Sequence, residues 1–236
     1  MPLRLVAVTY DARDPEQLAA FWGGVLGRTA KTGRGPERGV LLPGDDRQVG
    51  LRFVAGPAAP PGERDLHLHL TSDGAEGQDE VVQRVLDLGG RHLDVGQLPE
   101  ERHVVLADPE GNALCVIPPD STFLAGCGPL GEVACDGSPE VGRFWSAALG
   151  WPLVWDQDGE TAIQSPAGGT KLAWGGPPYE PKRGRNPQRF DLTADDLDAA
   201  VSELLALGAT ELGRAGAGEV VKLADPDGNE LRVLPA

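Results

Sequence analysis

Leu106-Ala107-Asp108-Pro109-Glu110-Gly111-Asn112 recurs as Leu223-Ala224-Asp225-Pro226-Asp227-Gly228-Asn229, and this pair of heptapeptides decides how the chain is built. In each, Pro and Gly supply the dihedrals of a tight turn. Working outward, Leu88-Gly89 recurs as Leu207-Gly208, and Leu70-Thr71 as Leu192-Thr193. Phe21-Trp22 followed by Leu26-Gly27 recurs as Phe144-Trp145 followed by Leu149-Gly150. One unit of about 115–120 residues has been duplicated, with small length changes in its loops. A repeat of that length is a whole domain, not a solenoid element.

Each unit reads as two smaller modules of strand, helix and then several strands. In the first module, Leu3–Tyr10 reads as a strand. Asp14 caps a helix, Pro15 suits its first turn, and Gln17 sits at the capping-box position. Leu18, Phe21, Trp22 and Val25 then fall on one helical face, and Gly27 ends the helix. Short strands are expected near Gly39–Leu42 and Gln48–Val54. The second module opens with a strand over Asp65–Thr71. A helix follows over roughly Ala75–Leu88, then strands near Arg91–Val95, His103–Ala107 and Ala113–Ile117. Pro118-Pro119-Asp120 begins a linker that runs to about Gly126, so domains are expected at 1–120 and 127–236. The second unit repeats the plan. A helix opens at Ser138-Pro139-Glu140, and another lies within Thr193–Leu207 with Leu197, Val201, Leu204 and Leu205 inward. Gly175–Pro187 is a basic connection rich in Pro and Gly.

Composition narrows the function classes. The chain has 236 residues, room for two domains with a core each. Its net charge of −15 disfavours nucleic acid and anionic membrane as partners and suits a cationic ligand or simple solubility. No apolar run is long enough to span a bilayer. The N-terminus enters a strand pattern directly, without the parts of a signal peptide. Three cysteines, Cys115, Cys127 and Cys135, lack metal-ligand spacing and fit a reducing compartment. A cytoplasmic location is expected. No Walker loop, dinucleotide fingerprint, nucleophile elbow or zinc-protease motif is present.

The ordered set of motifs resembles the vicinal-oxygen-chelate superfamily, which includes glyoxalase I, extradiol dioxygenases and bleomycin-resistance proteins. In the first unit the resemblance rests on Asp14-Pro15-Glu16-Gln17-Leu18-Ala19-Ala20-Phe21-Trp22, Leu26-Gly27, His67-Leu68-His69-Leu70 and the turn at 107–112. In the second it rests on Pro139-Glu140, Phe144-Trp145, Leu149-Gly150, the run from Glu180 to Asn186, Phe190-Asp191-Leu192 and the turn at 225–229. It implies an α+β fold of two tandem glyoxalase-like domains, built of paired βαβββ modules that form a curved mixed sheet around a cleft. It also implies a divalent metal, held by His and Glu from the first and last strands of the modules.

The ligand positions that the resemblance implies are poorly filled. The opening strand of the first unit offers only Leu5, Val6, Ala7 and Val8. That of the second, Leu130–Cys135, offers Glu132 and Cys135 but no His. His67 and His69 alternate with Leu68 and Leu70, so the apolar pair faces a helix and the imidazoles face the cleft. Their counterparts are Arg189 and Asp191. The final strands carry Cys115 and Arg232 where metal-dependent relatives carry Glu, with Glu230 displaced by two residues. Neither unit has a full metal set, so no metal or other cofactor is expected. Trp174 precedes the Pro/Gly-rich connection; it belongs to the core or lines a cleft mouth.

The leading expectation is a small-molecule binder of resistance or sequestration type, working without a catalytic metal. Its candidate ligand-binding residues are His67, His69, Cys115, Trp174, Arg189, Asp191, Glu230 and Arg232. His67 and His69 also read as a plain polar wall or as proton-transfer groups. The competing expectation is a metal-dependent lyase, isomerase or dioxygenase using His67 or His69 with a further ligand. A third is an interaction module with degenerate clefts. Since related proteins often dimerise to form clefts, the tandem fusion supplies that pairing within one chain, and a monomer or a homodimer is expected.

Overall fold

A computed structural model describes residues 3–33, 39–57, 66–72, 77–98, 100–175, 182, 184–216 and 220–236. Four βαβββ modules follow one another. The first holds β1 (Arg4–Ala12), α1 (Pro15–Leu26), β2 (Lys31–Gly33), β3 (Gly39–Leu42) and β4 (Gly50–Ala55). The second holds β5 (Leu66–Leu70), α2 (Gln78–Asp87), β6 (Arg91–His92), β7 (Val104–Ala107) and β8 (Ala113–Val116). The third holds β9 (Leu130–Asp136), α3 (Pro139–Leu149), β10 (Leu153–Gln157), β11 (Glu160–Gln164) and β12 (Lys171–Gly175). The fourth holds β13 (Gln188–Ala194), α4 (Leu197–Leu207), β14 (Thr210–Ala215), β15 (Val220–Ala224) and β16 (Glu230–Pro235). Asp65, Ala75 and residues 176–181 and 183, on which parts of the expected elements fall, lie outside the described residues.

The helices form where capping and periodicity coincide. Asp14 accepts from the Gln17 amide at 3.0 Å, and Leu18, Phe21, Trp22 and Val25 are buried. Gly27 and Gly150 end α1 and α3 in the left-handed region, at φ 66° and 65°, where a side chain is disfavoured. The fourth helix starts later than its pattern suggests. Thr193 and Ala194 stay in β13, and Asp196 caps the helix by accepting from the Ala199 amide. That setting turns Val201 and Leu204 inward but leaves Leu205 41% exposed, against the expectation that it faces the core.

The modules pair across the two halves of the sequence. One eight-stranded sheet runs β14-β15-β16-β13-β1-β4-β3-β2 and the other β10-β11-β12-β9-β5-β8-β7-β6. The seams are antiparallel: β1 meets β13 with Val8 opposite Phe190, and β5 meets β9 with His69 opposite Glu132. A lone module would leave its opening strand as an unpaired edge, and the two seams remove all four such edges. Among the described residues, neither sheet closes into a barrel.

The duplicated turn holds the modules of each half together. In the first half the Trp22 indole donates to the buried Asp108 carboxylate at 3.2 Å, and in the second Trp145 donates to Asp225 at 3.2 Å. Glu110 accepts from the amides of Arg13 and Asp14 before α1, as Asp227 does from Ser138 before α3. The repeated motif is therefore a packing device. Across the halves, the Gln48 side chain donates to the Cys127 carbonyl at 2.7 Å, and the Thr170 amide donates to the Arg47 carbonyl at 2.7 Å. Among the described residues, no helix is long and apolar enough to cross a membrane.

Candidate functional site

The β5–β9 sheet carries an open cleft of about 700 Å³. Strand register arranges its cleft face in three rows. Cys115, His69, Glu132, Lys171 and Gln164 stand side by side in the first. His67, Ala134, Ala173, Ala162 and Trp155 form the second. Asp136 and Gly175 belong to the third, beside Glu160. Phe123 reaches the cleft from the connection between the halves. Its ring meets Trp155 edge-on at 5.9 Å, and its carbonyl accepts from the Lys171 ammonium, which sits 4.0 Å above the ring.

The first row contains the chemistry. His69 Nδ1 lies 2.5 Å from Glu132 Oε2, and Cys115 stands beside His69 in register on the neighbouring strand. Burial disfavours the charged His69 ring, but Cys115 and Glu132 outweigh it and raise the pKa to about 9. His67 stacks against His69 with ring centroids 4.7 Å apart. Burial, with His69 and His103 nearby, lowers its pKa to about 4. Near neutrality this favours the charged form of His69 and the neutral form of His67, whose ring then has one donor and one acceptor nitrogen.

This cluster is also where a metal would fit. His67, His69 and Cys115 each offer one donor atom within 4.8 Å of the others. Two imidazoles and a thiolate suit a borderline ion such as zinc. Ligands about 2.0–2.1 Å from one tetrahedral ion stand roughly 3.3 Å apart. The 2.5 Å contact therefore makes Glu132 a hydrogen-bond partner that orients His69, not a fellow ligand.

The same ladder positions in the β1–β13 sheet are filled by the protein itself. Thr9, Arg52 and Leu41 stand where the other sheet has Ala134, Ala173 and Ala162. Asp191, wholly buried, replaces His69; Arg232 replaces Cys115 beside it. Arg232 Nε donates to Asp191 at 2.7 Å, its terminal nitrogen makes a second bond, and the Thr9 hydroxyl donates at 2.6 Å. Arg52, 1% exposed, lies 3.4 Å from the same carboxylate. Arg189 and Arg185 both pair with Asp11. Burial and the nearby Arg232 lower the Arg189 pKa to about 10.

Sequence reading anticipated the Arg232–Asp191 pair and the His67/His69 face. It placed Glu230 with these arginines, whereas Glu230 bonds Lys182 at 2.9 Å and the Asn186 amide. Trp174 is 1% exposed; its ring lies on the helix side of the sheet, 6.5 Å from Trp145 and parallel to it, so its side chain belongs to the core. Alternation puts Lys171 and Ala173 on the cleft face and Trp174 on the other. Thr9, Asp11, Arg52 and Lys171 were missed, and Glu132 was noted without its partner. Their roles depend on which strands become neighbours.

The profile of the glyoxalase-like domain family matches residues 7–117 and 132–234. No curated protein matches the chain in sequence. Among solved structures, glyoxalase I from Zea mays is similar at 14% identity and a TM-score of 0.63, covering 99% of this chain and 92% of that one. A putative dioxygenase from Bacillus subtilis is similar at 12% identity and a TM-score of 0.58, covering 99% and 85%.

Proposed function

Because this chain belongs to the glyoxalase-like domain family, we propose that it binds a small organic ligand in the β5–β9 cleft and that its other cleft is structural. The contrast between the sheets carries this reading. Alanines floor a cleft of about 700 Å³ in one, while Thr9, Arg52 and Leu41 occupy the same positions in the other. A volume of that order suits a small molecule. His67 accepts a hydrogen bond from the ligand, and the charged His69 and Lys171 donate. Glu132 fixes the His69 ring. Binding of this kind needs no bond chemistry, as in sequestration. Both sheets are completed within one chain, so a monomer suffices.

The test is a screen of chemically diverse fragments by thermal shift, run on the wild type and on Ala134→Phe, which fills the floor. Hits that vanish in the variant support the reading. Hits that persist unchanged, or a screen without hits, defeat it.

The close approach of His67, His69 and Cys115 favours a second reading, a metal-dependent enzyme. When bound, the ion would polarise ligand oxygens. Elemental analysis near one metal per chain, lost in Cys115→Ser and His67→Ala, would select it over the first reading.

A further inference from the structure

We propose that the buried Gln188 carboxamide is the core of a water-binding site, which holds two ordered molecules between the ends of the two sheets. Gln188 opens β13 and is 3% exposed. Among the described residues, neither its Nε2 nor its Oε1 has a hydrogen-bond partner. Buried side-chain polar atoms are nearly always paired, so a carboxamide with both branches unpaired points to an occupant beside it. The β1–β13 ladder fixes the backbone here, with Tyr10 opposite Gln188. Gln188 and Phe190 alternate with Arg189 and Asp191, so the carboxamide lies on the helix side of its sheet. The site is therefore separate from the proposed ligand cleft. The repeat also shows that this ladder position does not demand a polar residue. Asp191 stands where the other sheet has His69, and three residues earlier the counterpart of Gln188 is Leu66.

The side chain lines a cavity of about 30 Å³. Leu66 and Trp174 bound it from one sheet, and Phe190, Asn229 and Glu230 from the other. The chemistry of the carboxamide selects the occupant. Its nitrogen donates and its oxygen accepts. A cation would serve only the oxygen and an anion only the nitrogen, so the occupant is neutral and does both. Volume narrows this to water. One water needs roughly 10–15 Å³, so the cavity takes about two, one for each branch of the carboxamide. Their remaining bonds have partners on the cavity wall. Glu230 Oε2 accepts from Lys182 and from the Asn186 amide, which leaves Oε1 to accept from a water. Asn229 Oδ1 accepts from Asn186 and keeps a second lone pair. With a bond between the two molecules, each water reaches about three hydrogen bonds, the usual number for buried water.

High-resolution crystallography of the full chain tests this, on the wild type and on Gln188→Leu, together with thermal melts of both. Leucine is the residue that the repeat puts at this position, so the variant should keep the fold. Expected in the wild type is density for two waters, one about 3 Å from Nε2 and the other about 3 Å from Oε1. Both should be lost in Gln188→Leu, with a thermal midpoint at or below that of the wild type. A dry cavity, a single water, or a carboxamide bonded directly to protein atoms would overturn the proposal. So would a midpoint raised by more than about 4 °C in Gln188→Leu, the gain expected from removing two unpaired buried polar atoms. The wild-type density decides the matter even if the variant does not crystallise.

Discussion

Removing Asp191 should cost more stability than removing the arginine that grips it. Asp191 is wholly buried and accepts from Arg232 twice and from Thr9, with Arg52 at 3.4 Å. Asp191→Ala removes at once the buried acceptor shared by Arg232, Thr9 and Arg52. Breaking a buried pair in this way costs about 3–5 kcal/mol. Arg232→Ala removes two charge-assisted hydrogen bonds but leaves Asp191 with Arg52 and Thr9, so it should cost about 2–3 kcal/mol. Thr9→Val removes one neutral donor and should cost about 1 kcal/mol. For a chain of this length each kcal/mol shifts the thermal midpoint by about 2–4 °C. The assay is urea unfolding and calorimetric melting at pH 7 for the three variants. The reasoning fails if Arg232→Ala costs as much as Asp191→Ala, or if both cost under about 1 kcal/mol, because the carboxylate is then not the hub.

Three further outcomes follow. Gly169 has φ +91°, and an added Cβ would land 1.6 Å from the Arg47 carbonyl, so Gly169→Ala should lower stability by more than about 2 kcal/mol in urea unfolding. His69 has its pKa raised to about 9, so its contribution is fully present below the unfolded value near 6.5 and is lost as pH rises through about 9. Thermal midpoints from pH 6.5 to 9.5 should fall in the wild type and flatten in Glu132→Gln; a parallel fall in both contradicts the pairing. Burial pushes the Asp225 carboxyl up to about 6, against the hydrogen bonds from Asn229 and Trp145 that lower it. Its contribution is present below the unfolded value near 3.9 and lost as pH rises through about 6. Asp225→Asn should remove that part of the pH dependence between 4 and 6, read by the same melts.

Local features were legible because their causes are local. Asp14, Pro15 and Gly27 frame α1, and the Leu18–Phe21–Trp22–Val25 spacing gives its buried face. Alternation along His67-Leu68-His69-Leu70 gives the cleft face of β5 without reference to any other strand. The turn at 108–112 announces itself by Pro and Gly, although its purpose, holding the Trp22 indole, needs the tertiary fold. What was not legible is non-local. The partner of His69 comes from β9, in the other half of the chain, and the partner of Asp11 from β13. Strand pairing across halves leaves no periodic signal in either strand, so Thr9 and Arg52 read as ordinary strand residues. The alanines of the cleft floor are silent for the same reason, since a small side chain marks an open space only when its neighbours are also small.

The central claim is that one cleft is open to ligand and the other is closed by its own charges. Crystals soaked with a library of small aromatic and aliphatic fragments test it directly, because electron density locates each hit. The account predicts that bound fragments lie on Ala134, Ala173 and Trp155, with Asp191, Arg232 and Arg52 still bonded to one another and free of fragment. Fragments seated between Arg52 and Arg232 with the Asp191 contacts broken, or an empty alanine floor alongside hits elsewhere, would contradict it.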